Sequence, residues 1–143
     1  MDESELLALL AGVRTTPIFV CHLATRLVRL LGASTTRVLL SPQTMAKEEA
    51  KHRAANHDLY KLAATILASS FVRIDEKTKR LIFVWHSPKD ARGKVKSYKA
   101  VVKATANGRE LYLMSVHRMD RTSVRSVFKR TKSLEEWVKE SAV

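Results

Sequence analysis

Asn107-Gly108, flanked on both sides by residues that alternate apolar and polar, most constrains how this chain of 143 residues can fold. An Asn-Gly pair between two such segments predicts a hairpin closed by a two-residue type I′ turn, because these residues tolerate positive φ and the turn's twist matches that of the strands. The strands are expected over Tyr98 to Thr105 and Glu110 to His117. Residues then pair when their numbers sum to 215. Tyr98 faces His117, Ala100 faces Ser115, Val102 faces Leu113 and Ala104 faces Leu111, all on one side of the sheet. Lys99 faces Val116, Val101 faces Met114 and Lys103 faces Tyr112 on the other side, with Arg118 just beyond. Because strand side chains alternate, a one-residue bulge would exchange these sets.

Local signals extend this frame in both directions. Phe71 to Asp75 and Lys79 to His86, joined by the polar turn Glu76-Lys77-Thr78, predict a second hairpin. Upstream the apolar period is helical. Asp2 and Glu5 start a first helix that ends near Gly12, and Thr16-Pro17 and Gly32 bracket a second over 17–31. A brief strand is expected at Arg37 to Leu40, then helices over 42–54 and 57–68. Short basic helices over 121–129 and 133–140 close the chain. This order predicts an α+β fold, with N-terminal helices packed on a roughly four-stranded antiparallel sheet. It is read as one domain over 1–143: a helical extension over 1–34, a core over 36–118 and basic C-terminal helices over 119–143.

Charge is unevenly divided. Residues 1–70 carry 8 Lys and Arg against 6 Asp and Glu, whereas residues 71–143 carry 18 against 8, which places most of the net +12 in the C-terminal half. A field of that sign attracts phosphates over about 8 Å at physiological salt and releases counterions when nucleic acid binds. RNA is therefore the expected partner. No helix shows a continuous basic face opposite Trp and Phe, which disfavours an anionic membrane. The apolar run Pro17 to Leu31 is too short to span a bilayer and carries His22, Arg26 and Arg29. Cys21 is the lone cysteine, which excludes an internal disulfide, fits a reducing, cytoplasmic compartment and leaves no zinc-spaced pair.

Metal-independent RNA cleavage needs a base for the 2′-hydroxyl, an acid for the leaving 5′-oxygen and cations for the phosphorane. His117 ends a strand beside Ser115, Arg118 and Tyr98, which makes it the preferred acid–base candidate. His52, at the end of a basic helix, is the second, with Lys99 or Lys103 and Arg118 as the stabilising cations. His86 and Lys89 edge the flexible loop 87–96 as phosphate contacts, joined by Lys51, Lys103 and Arg121. Tyr98, Tyr112 and Trp85 are aromatics able to stack on bases. The chain has no Gly-rich phosphate loop, no Gly-x-Ser-x-Gly elbow and no acidic cluster for magnesium, so neither cofactor nor metal is expected.

Val38-Leu39-Leu40-Ser41 leads into a helix bearing Lys51-His52, then a second helix, Leu81-Ile82-Phe83, Tyr98 to Lys103 and Leu111 to Arg118. In that order these segments resemble the phage-encoded branch of the superfamily uniting barnase, EndoU, the ribonuclease colicins and RelE. The resemblance covers a little over half of the chain. It implies helices before a four-stranded antiparallel sheet and metal-free RNA cleavage, often as a toxin. It also implies an active site from His52, a third-strand lysine and Ser115-x-His117-Arg118, and an immunity or antitoxin partner. The function expected is thus a metal-independent endoribonuclease. The alternative is a non-catalytic phage module gripping nucleic acid or a host protein.

Overall fold

The computed structural model describes residues 1–49, 53–68 and 71–141, with side chains described over 1–46, 56–68 and 71–140. Chain order is α1 (Glu3–Leu10), β1 (Ile18–His22), α2 (Thr25–Leu30), β2 (Arg37–Leu40), α3 (Pro42–Glu49), α4 (Arg53–Tyr60), α5 (Ala63–Leu67), β3 (Phe71–Asp75), β4 (Arg80–His86), β5 (Ser97–Ala104), β6 (Leu111–Met119), α6 (Arg121–Arg130), β7 (Lys132–Ser133) and α7 (Leu134–Ser141).

The α+β class stands, but the sheet is not four-stranded or antiparallel throughout. It is a seven-stranded mixed sheet in the order β1-β2-β6-β5-β4-β3-β7. β2 runs parallel to β6, pairing Val38 with Leu111 and Leu39 with Tyr112, and the other pairings are antiparallel. Both additions lie outside the two hairpins. β1 and β2 extend the sheet beyond β6, and β7 caps its far edge on β3.

The largest local correction falls on 17–31. Ile18–His22 is strand, with Ile18 and Val20 buried and Phe19 between them partly exposed, and helix begins only at Thr25. Ile, Phe and Val favour a pleated surface, and pairing with β2 supplies the hydrogen bonds that a lone helical turn would have made internally. The region 1–34 is therefore no helical extension, because it contributes a strand to the sheet. Helix 57–68 is likewise divided, with a turn at Lys61-Leu62. Other boundary signals hold. Asp2 accepts a hydrogen bond from the Glu5 amide at 3.1 Å, and Gly12 and Gly32 follow their helices with φ of 73° and 67°.

Apolar side chains bury both faces of the sheet, unequally. One face carries Val38, Leu40, Leu81, Phe83, Ala100, Val102, Leu111 and Leu113 under α1, α2 and α5, and this core runs from Leu6 to Val116. On the other face α6 covers the strands, placing buried Val127 and half-buried Val124 on Ile82, Val84, Val101 and Met119. Burying Val127 contributes roughly 1.5–3 kcal/mol. Arg73 anchors the end of α6 to β3, donating to Thr131 Oγ1 at 3.0 Å, to the Thr131 carbonyl at 2.7 Å and to the Phe128 carbonyl at 3.0 Å.

Candidate nucleic-acid interface

The β5–β6 hairpin forms where expected, with a different turn. Thr105 N donates to the Glu110 carbonyl at 3.0 Å and Gly108 N to the Thr105 carbonyl at 2.9 Å, so Ala106 to Arg109 form a four-residue loop. Of these only Gly108 has positive φ, whereas a type I′ turn needs it at both central residues. Asn107 Oδ1 instead accepts from Arg109 N at 3.0 Å and from Thr105 Oγ1 at 2.8 Å. The register next to the loop is unchanged: Ala104 pairs with Leu111, Lys103 with Tyr112 and Val102 with Leu113.

Beyond Val102 the register shifts. Met114 is an extra residue on β6, so Val101 pairs with Ser115, Lys99 with His117 and Tyr98 with Arg118. The bulge reverses the expected facing of the strand end. Ser115, His117 and Lys99 lie on the α6 side of the sheet. Tyr98 belongs to the main core and stacks near Trp85 with ring centroids 5.6 Å apart, so neither ring faces the His117 side. The proposed cluster of Tyr98, Ser115, His117 and Arg118 is thereby divided between two faces. Lys51 and His52 lie outside the described residues.

On the α6 side, among the described residues, the half of the sheet formed by β6, β2 and β1 with the near edge of β5 lies beyond the strands that α6 packs on, and the start of α3, Pro42 to Thr44, borders it beside Tyr112 and Met114. This half-face carries Lys99, Lys103, His117 and Arg37, with Tyr112, Phe19, Leu39, Met114 and Ser115 between them, all partly or fully exposed. Strands β1, β2, β5 and β6 contain no Asp or Glu. The Arg37 guanidinium lies 5.2 Å from the centre of the Phe19 ring, and His22 packs 5.0 Å from the same ring. Lys99 has a pKa below the usual lysine range, first because it is partly desolvated and second because Arg130 is near.

At the open end of β4, β5 and β6, a pocket of about 420 Å³ is ringed by exposed His86, Lys96, Arg118, Arg121 and Arg125. Ser97 Oγ lies 2.7 Å from His86 Nδ1. Asp120 lines the same pocket, but its carboxylate caps α6 by accepting from the Ser123 amide at 2.7 Å, which holds its pKa below the usual carboxylate range. His86, Arg118 and Arg121 were legible as candidates. Lys96 and Arg125 join them only through the loop return and the helical turn of α6. Lys89 stands exposed on the 87–96 loop and does not line this pocket.

Phe19, His22 and Arg37 were missed because 17–31 reads as helix, which hides that Phe19 and Arg37 become cross-strand neighbours. Among the described residues no helix is long and apolar enough to cross a membrane, and no group of three or more His, Cys, Asp and Glu side chains is placed to hold a metal ion. Neither a protein-family model, nor a curated protein, nor a solved structure matches this chain.

Proposed function

We propose that the protein binds single-stranded nucleic acid on the half of the sheet that α6 leaves open, with the basic pocket at the open strand end holding backbone phosphates. The observation that carries this reading is the half-face itself: exposed cations interleaved with Tyr112 and Phe19, and no carboxylate on its strands. Cations follow the backbone while aromatic faces accept bases without demanding a sequence. Binding of a labelled oligonucleotide should weaken steeply with salt, and removing Arg118, Arg121 or Arg125 should each reduce the log–log slope by about 0.7 if each meets one phosphate. An affinity that ignores salt, or no binding at about 50 mM salt, sinks the reading.

A second reading, metal-independent cleavage of RNA, is favoured by one juxtaposition, that of Lys99 across from His117 with Ser115 on the same face. The imidazole would take the 2′-hydroxyl proton. The 2′-oxygen would then attack phosphorus as the P–O5′ bond breaks and the 5′-oxygen takes a proton from water, giving a 2′,3′-cyclic phosphate and a 5′-hydroxyl end. Lys99 would neutralise the phosphorane charge. RNA left intact by the purified protein in EDTA at every pH, or cut equally well by His117→Ala, removes this reading while leaving the first in place.

A further inference from the structure

We infer that the cleft beside Tyr112 takes one unstacked base of a bound single strand, with the base against the Tyr112 ring and the neighbouring phosphate against Lys103. This inference rests on the nucleic-acid reading above and adds the subsite that makes binding depend on bases. The cleft has a volume of about 580 Å³, and Pro17, Pro42, Gln43, Lys103, Tyr112 and Met114 are among its walls. That volume lies within the usual range of small-ligand sites, and a mostly apolar lining with a few polar groups is their usual chemistry.

Three observations favour a base over other occupants. Tyr112 is held in place because its hydroxyl donates to the Glu110 carboxylate at 2.5 Å, so what it offers a ligand is its ring face. Met114, two residues on from Tyr112 and so on the same side of β6, lines the same wall and adds a polarisable thioether. Gln43, Thr44 and Thr105 supply amide and hydroxyl groups able to meet the polar edge of a base.

Charge sets the ligand class. Among the described residues no carboxylate lines the cleft, and Lys103 is the one cation there. A free nucleoside polyphosphate would need several cations at this spot. They are gathered instead in the basic pocket at the other end of β5, six residues away along the strand from Lys103 to Ser97, about 20 Å. A single strand held there and passing Lys99 and His117 would reach the cleft with one phosphate to neutralise and one base to bury.

The test compares oligonucleotides of about a dozen residues, intact or wholly abasic, by fluorescence anisotropy at about 50 mM salt. Wild-type protein should bind the abasic strand about tenfold more weakly. Tyr112→Ala should bind the intact strand about as weakly as wild type binds the abasic one, while Tyr112→Phe, which keeps the ring, stays within about twofold of wild type. Equal binding of both strands by wild type overturns the base subsite and leaves the nucleic-acid reading standing; binding of neither strand overturns both. Should Tyr112→Ala fail to fold, photocrosslinking of wild type to a 5-iodouridine strand decides the matter. Crosslinks on the peptide containing Tyr112 support the subsite, and crosslinks confined to other peptides overturn it.

Discussion

Lys99 lies directly across the β5–β6 ladder from His117, while its neighbour Tyr98 lies across from Arg118. One inserted residue, Met114, produces this arrangement, and the strand-end chemistry follows from it. Two groups able to exchange protons or meet a phosphate share the open face, and the tyrosine is committed to the core.

The Lys99 ammonium opposes folding. Its folded-state pKa is lowered below the ordinary 10.5, so the penalty is present at neutral pH and fades as pH rises through the interval between the folded and ordinary values. Lys99→Met should therefore stabilise the protein slightly. Because water still reaches the ammonium, screening keeps the gain to about 0.5 kcal/mol or less. The same variant should bind oligonucleotide several-fold more weakly. Urea melts and anisotropy titrations on one preparation check both, and a variant that is less stable yet binds normally contradicts the placement of Lys99 on the binding face.

Asp120 does two opposed things, capping α6 and placing a negative charge among Lys96, Arg118, Arg121 and Arg125. Asparagine keeps the cap and removes the charge. Asp120→Asn should hold the melting temperature and tighten oligonucleotide binding roughly threefold at low salt. Asp120→Ala should tighten binding similarly but lower the melting temperature. As pH falls through the lowered folded pKa of Asp120, its contribution to stability should be lost in wild type and not in Asp120→Asn.

Gly108 is required for two reasons at once. Its φ is 71°, and a Cβ there would lie 2.3 Å from the Gly32 carbonyl oxygen. The turn is also tied to that loop by Ser34 N, which donates to the Gly108 carbonyl at 2.7 Å. Gly108→Ala should cost well over the ~1 kcal/mol expected from positive φ alone. Gly12→Ala, with φ 73° and nothing within 4 Å, isolates the conformational part. Similar urea midpoints for the two variants would show that the turn does not press on Gly32.

Arg73 spans β3 and the end of α6 with three hydrogen bonds, and its guanidinium lies 4.5 Å from the centre of the Phe128 ring. Lysine cannot reproduce the planar fork. Arg73→Lys should destabilise by about 1–2 kcal/mol. Amide exchange should accelerate first in the last turn of α6 and in β7, and uniform acceleration across the sheet would contradict this local role.

Much of the candidate site was legible residue by residue. Strand-end and loop placement singles out Lys99, Lys103, Ser115, His117, His86, Arg118 and Arg121, and each ends on the open face or in the basic pocket. Their grouping was not legible. Parity along a strand carries facing only until the first bulge, and nothing around Met114 marks one. Tyr98 shows the consequence, passing from site candidate to core.

By itself the sequence determined what depends on neighbours in the chain: the Asp2 cap, the glycine stops at Gly12 and Gly32, both hairpins, the two C-terminal helices and the concentration of positive charge after Ser70. These rest on turn chemistry, capping and periodicity, whose energies are set within a few residues. Only the tertiary structure decided that Ile18–His22 is strand, that β2 runs parallel to β6, and that α6 covers one half of the second sheet face and leaves the other half open. An apolar run satisfies its backbone equally well in a helix or beside a partner strand. Which it takes is decided by an edge that exists only after distant segments have met.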